Sequence, residues 1–260
     1  MRKARLSTRS KMDNSTTIAT GLSGHFDRLV GKYDKYASLA RSAEIRSLLS
    51  EELSFSGIDT ALDIGTGTGN FGSLLKTICP DVFGIDLNYE MLCLARTKGI
   101  IPIQALAERL PFRDNSFDVV TARQVFQYLT PHQQDNAFRC IYCVLKKTGL
   151  FILDQISASS EKEAHIVSDF MSVFGHQTSF LDIQSLAKTV ELAGFTITKT
   201  LLHEHTVYES AADFCDVRNI SRDQYPARSN LIYGKDEFKA RISDEGVEYT
   251  RKYALLVARK

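Results

Sequence analysis

The chain has 260 residues, 43% of them hydrophobic, and 32 basic against 31 acidic side chains leave a formal charge of +1. That length suits one α/β domain with an added helical element, and the balanced charge argues against nucleic acid or an anionic membrane surface as partner. No apolar run approaches the roughly 18 residues of a membrane span, and five scattered cysteines suit a reducing, cytoplasmic setting.

Residues 1–11 are basic and no apolar segment follows them, so residues 1–23 read as a flexible tail rather than a secretory or transit signal. A helical lead-in starts at Gly24, with Phe26, Leu29, Val30 and Tyr33 on one face. Strand one is expected at 60–64, followed by glycines at alternate positions, Gly65, Gly67 and Gly69, and by a helix over about 70–77. Glycine lacks Cβ and tolerates positive φ, so such a turn can touch a ligand with its backbone. Strand two, 82–86, ends in Asp86, about twenty residues beyond the turn and suited to accept from ribose hydroxyls. Asn88 is placed to cap a helix over 89–97, and strand three is 100–104.

Strand four is 117–121. Thr130, Pro131 and Gln133 open a helix with a capping box, and Thr148-Gly149 is its expected stop before strand five at 150–153. Ser160 and Asp182 start two further helices, the first running to Phe174 and Gly175. Residues 195–208 alternate as strand six and 248–257 as strand seven, with 209–246 inserted between them and weak helical pieces at 211–217 and 237–242. Strands alternating with helices predict a doubly wound, mostly parallel, seven-stranded Rossmann-like sheet. Its last strand is antiparallel, and the insertion serves as a helical lid or, alternatively, a dimer arm.

Several stretches match a known pattern in order: L-D-I-G-T-G-T-G at 62–69, G-I-D-L at 84–87, A-E-R-L-P-F at 107–112, N-S-F-D-V at 115–119 and V-L-K-K-T-G-L at 144–150. With the lead-in H-F-D-R at 25–28 and K-Y-D at 32–34, the chain resembles the class I S-adenosylmethionine-dependent methyltransferases over about residues 25–200. Within them it is most similar to the branch of quinone C-methyltransferases and malonyl-carrier-protein O-methyltransferases. The resemblance implies S-adenosylmethionine as cofactor and a small-molecule methyl acceptor. It also implies that Gly65, Gly67 and Gly69 wrap the methionine end, Asp63 holds the turn, Asp86 takes the ribose, Leu87 packs on adenine, and Ala107 and Glu108 sit at the adenine edge. The family often carries Asp before that Ala-Glu pair, whereas here the position is Leu106.

For the acceptor, Arg123, Gln124, Gln127 and Tyr128 follow strand four and face the carboxyl ends of the strands, and Arg123 suits a bidentate grip on an acid. Tyr33, with Tyr36, would close over the methyl group if the lead-in crosses the cofactor. His203 shares a strand face with His205 and is a candidate base, or half of a metal pair that lacks a third ligand, so no metal is expected. Cys140 and Cys143 form a C-x-x-C inside an amphipathic helix and read as core packing. Two other classes stay open. The shifted frame G-x-G-x-x-G over 67–72 suits a nicotinamide-dependent oxidoreductase, and the fold can serve as a non-catalytic partner module.

Overall fold

The computed structural model describes residues 57–172, 179–218, 220–234 and 238–260, together with Phe26, Val30, Asp34, Ser47, Glu51 and Glu52. Strands β1 (Thr60–Ile64), β2 (Asp81–Asp86), β3 (Ile101–Gln104), β4 (Phe117–Arg123) and β5 (Leu145–Ile156) pair in parallel in the order β3-β2-β1-β4-β5. Strand β8 (Gly246–Arg259) then adds antiparallel to β5, and β6 (Thr196–Ser210) antiparallel to β8. The expected doubly wound, mostly parallel sheet with an antiparallel last strand is therefore present. A two-residue strand β7, Arg241–Ile242, joins it on β8.

Both faces of the central strands are buried, so these strands send alternate residues to two cores, whereas β6 leaves one face exposed. Leu62, Ile64, Phe151 and Leu153 pack under helices α3 (Pro131–Val144) and α5 (Ile183–Leu192). Ala61, Leu150, Ile152, Leu255 and Val257 pack on the other face, under Phe71 and Leu75 of helix α1 (Asn70–Leu75) and Ala95 of α2 (Tyr89–Thr97). Local caps set the helix starts. Asn88 accepts from the Met91 amide, Thr130 and Gln133 form a reciprocal box, and Asp182 accepts from the Gln184 and Ser185 amides.

Helix α3 ends at Val144, four residues before its expected stop. Leu145 is fully buried and pairs with Phe117, and Lys146 reaches Asp118 at 2.8 Å. Tertiary pairing thus draws residues 145–149 into β5. Helix α4 is Glu161–Ser172, and the expected end at Phe174 and Gly175 lies outside the described residues.

The insertion holds α6 (Ala211–Arg218) and α7 (Tyr225–Tyr233). Residues 241–242 are strand, not helix, because they find open edge groups on β8. Helix α7 escapes a sequence reading because its buried row is narrow, Tyr225, Ser229 and Tyr233 at every fourth residue. The insertion has its own small core of Ala211, Phe214, Cys215, Tyr225, Tyr233 and Phe238 against Val247 and Tyr249 of β8. Its placement follows from strand lengths. Pairing of β5 with β8 ends at Ile156 opposite Tyr253, whereas the β6–β8 ladder continues to Ser210 opposite Gly246. The hairpin therefore overshoots β5 at its carboxyl end and carries the insertion there.

Candidate active site

The turn after β1 is built from three left-handed glycines: Gly65 at φ 64°, Gly67 at φ 53° and Gly69 at φ 81°. Each also lies in a conformation that side chains resist. A Cβ on Gly65 would sit 2.1 Å from Val125 Cγ2, and one on Gly69 would sit 2.8 Å from Ala95 Cα. Gly65 and Gly67 line a cleft, whereas Gly69 is a packing glycine beneath α2. Asp63 stands behind the turn, fully buried, accepting from the Thr66 and Thr121 hydroxyls at 2.8 Å each. Burial raises its pKa to about 6 against those two bonds.

Asp86 joins the turn from β2. Its Oδ2 accepts from the Gly67 amide at 2.8 Å and its Oδ1 from the Asn88 amide at 2.9 Å. Burial pushes its carboxyl upward, opposed by the backbone donors. Asp86 thus caps the following turn, where the Leu87 amide also bonds it, and lines the cleft.

The cleft is open to solvent, and its roughly 930 Å³ of empty space includes part of that solvent. Leu87, Leu106, Ala107 and Glu108 line it, with Asn88, Met91, Val125 and Gln133. Gln133 Nε2 donates to Glu108 Oε1 at 2.8 Å, and Glu108 Oε2 is buried without a hydrogen-bond partner among the described residues. Such an atom is costly unless a ligand donor completes it. The lead-in reaches the same place. Phe26 lines the cleft edge-on to Tyr128, with ring centroids 5.7 Å apart. Asp34 accepts from Thr68, from Asn70 at 2.8 Å and from Lys98 at 2.9 Å. Burial pulls its pKa up, but the bonds from Thr68 and Lys98 prevail and hold it below the ordinary value.

Of the acceptor-side residues, Arg123, Gln124 and Tyr128 line the cleft, and Gln127 is buried behind them. Arg123 lies 3.3 Å from Asp154 and above the Phe71 ring, so its charge is already matched within the chain. Gln124 adopts φ 53°, a strained turn at the end of β4. His203 faces Tyr253 across the β6–β8 ladder and does not line the cleft. Tyr33 and Tyr36 lie outside the described residues. Cys140 is half-buried and donates to the Glu108 carbonyl, but Cys143 is exposed and so is not core. No cluster of metal ligands occurs among the described residues. The sequence reading missed Val125, which closes on Gly65, and Gln133, whose capping signal was legible but whose reach to Glu108 was not.

The methyltransferase-domain family matches residues 62–153, the stretch from the glycine turn to the end of the parallel strands. A malonyl-[acyl-carrier protein] O-methyltransferase of Legionella pneumophila is 26% identical over 241 residues, covering 86% of this chain and 81% of that protein. The uncharacterized methyltransferase sll0829 of Synechocystis is 30% identical over 159 residues, 59% of this chain and 74% of its own length. Among solved structures, the YcgJ protein of Bacillus subtilis superposes with a TM-score of 0.68 at 18% identity, over 83% of this chain and 97% of that one, a likeness of fold. With the glycine turn, the Asp86 carboxylate and these matches in agreement, the chain belongs to the class I S-adenosylmethionine-dependent methyltransferase family.

Proposed function

We propose that this protein transfers a methyl group from S-adenosylmethionine to the oxygen, carbon or nitrogen of a small-molecule acceptor. One observation carries the reading: a single cleft joins the Asp86 carboxylate, seated on the Gly67 amide, to the unpartnered Glu108 Oε2. The first suits two ribose hydroxyls, and the second suits the adenine amino group where Leu106 replaces the usual Asp. Gly65 and Gly67 leave backbone room for the methionine end, and Leu87 offers an apolar face to adenine.

The cofactor's sulfonium supplies an already activated methyl group. The chain's share is to align the acceptor and keep water out. In this reading Arg123, Gln124 and Tyr128 border the acceptor, Phe26 and Tyr33 close the lead-in over it, and the 209–246 insertion is the lid. His203 serves as base only for an acceptor whose proton must leave early. The name of the Legionella relative favours an acidic, carrier-bound acceptor, and a cytoplasmic setting suits such a substrate.

Calorimetric titration with S-adenosylhomocysteine, and with NADH and NAD⁺ in parallel, tests the cofactor. Binding of the first alone supports the reading. Binding of a nicotinamide instead, or of none of the three, overturns it.

A further inference from the structure

Three cationic side chains around the upper hairpin have a carboxylate of their own. Arg123 has Asp154 at 3.3 Å, Arg218 has Glu209 at 2.7 Å, and Lys252 has Glu163 at 2.8 Å. Arg251, next to Lys252 on β8 but on the opposite face, has no carboxylate partner among the described residues. It is half-buried, donates to the Tyr249 hydroxyl, bonds the Tyr253 side chain, and lies 5.1 Å from the Tyr249 ring centroid.

Those partners are phenols, and burial raises the Tyr249 pKa, which keeps it neutral. A neutral phenol satisfies an N–H group but offers no counter-charge, so the half-buried guanidinium keeps an unmatched positive charge. The cage is also built with care. Tyr249 stacks on Tyr233 of α7 at 4.2 Å, and Tyr233 in turn accepts from Arg218 at 3.3 Å, so the insertion's core fixes the ring on which Arg251 rests.

Its location is informative. Position 251 lies beyond the last β5 pair, Ile156 with Tyr253, on the carboxyl side of the parallel strands, where open α/β sheets take their ligands. His205 stands directly opposite it on β6. Tyr128, which lines the cofactor cleft, feels the charge of Arg251, although Arg251 itself is not among the residues lining that cleft. Burial raises the Tyr128 pKa, opposed by its bond with Gln127 and by the charge of Arg251.

We propose that Arg251 anchors an oxyanion carried by the methyl acceptor, which makes the acceptor an organic acid held by its charged end beneath the insertion. The oxyanion is a carboxylate or a phosphate, either of which fits the planar guanidinium fork. This rests on the methyl-transfer reading, yet the two fail separately, because S-adenosylhomocysteine binding reports the first without Arg251.

The test uses the full chain with and without saturating S-adenosylhomocysteine. It is titrated with straight-chain carboxylates from butyrate to dodecanoate, with alkyl phosphates, and with the matching neutral amides. Acids of one series should bind at least about tenfold tighter than their amides, and the preferred series identifies the oxyanion. Arg251→Gln should abolish that preference and leave S-adenosylhomocysteine affinity and the unfolding temperature close to wild type. Arg251→Lys should keep part of the preference, as charge without the fork. Equal binding of acid and amide, no binding of any acid, or an intact preference in Arg251→Gln overturns the proposal. Should Arg251→Gln unfold, the wild-type comparison of acid with amide and the Arg251→Lys variant decide it.

Discussion

The Gly67 amide donates to Asp86 Oδ2 at 2.8 Å, which ties the turn after β1 to the end of β2, nineteen positions on in the chain. One carboxylate thereby shapes the glycine turn and also lines the cleft. Because bonds to a charged group are worth about 1.5–3 kcal/mol, Asp86→Ala should weaken S-adenosylhomocysteine roughly ten- to a hundredfold. Calorimetry checks this, and an unchanged affinity would remove Asp86 from the site.

Glu108 makes a prediction about the base of the cofactor. Its Oε1 is held by Gln133 at 2.8 Å, so Oε2 is aimed rather than free to rotate away. Glu108→Ala should cost S-adenosylhomocysteine roughly ten- to a hundredfold, the scale of one hydrogen bond to a charged group. The same change should cost the inosine analogue less, since oxygen replaces the amino donor there. Equal losses for both ligands would show that Glu108 does not read that group.

Gly65 combines a left-handed φ of 64° with a Cβ position 2.1 Å from Val125 Cγ2. Gly65→Ala should destabilise the fold by about 1–3 kcal/mol through backbone strain, and it should weaken the cofactor by displacing the turn. Pairing it with Val125→Ala relieves the collision but not the φ. The double variant should therefore recover stability in part and cofactor affinity less. Urea unfolding and calorimetry read the two effects.

Asp63 predicts a pH dependence of a definite sign. Burial lifts its folded pKa from the ordinary 3.8 to about 6. In that window the folded state holds more protons than the unfolded one, so stability contributed at this site falls as pH rises. Below the window the penalty is absent, and above it the full cost of roughly 3 kcal/mol remains. Asp63→Asn should remove this term, and so the wild type should lose stability relative to the variant between about pH 4 and pH 6. Denaturant unfolding of both proteins across that range checks it. A difference that stays constant with pH would mean Asp63 does not titrate there.

Much of the architecture was legible from local chemistry. The strand–glycine–helix unit at 60–75, the Asn88 and Asp182 caps and the Thr130–Gln133 box depend on neighbours within a few positions, and each formed where its residues indicated. The doubly wound, mostly parallel sheet with its antiparallel last strand followed from the alternation of strands with helices and from the resemblance, whereas the strand order emerged only from the pairing. Helix α7 and the early start of β5 were not legible. The first buries only a narrow row, and the second is created by pairing with β4.

The sequence by itself determined which residues cluster at the ends of β1 and β2, because glycine geometry and strand period are properties of short segments. Only the tertiary structure decided how those residues divide their work. It put Gly69 under Ala95 instead of on the cleft, matched Arg123 with Asp154, and aimed Glu108 by way of Gln133. It also left Arg251, unremarkable in a strand of mixed polarity, among phenols with no counter-charge among the described residues. Charges and hydrogen bonds act over a few ångströms of space, whatever the separation in sequence, and that proximity exists only once the chain has closed on itself.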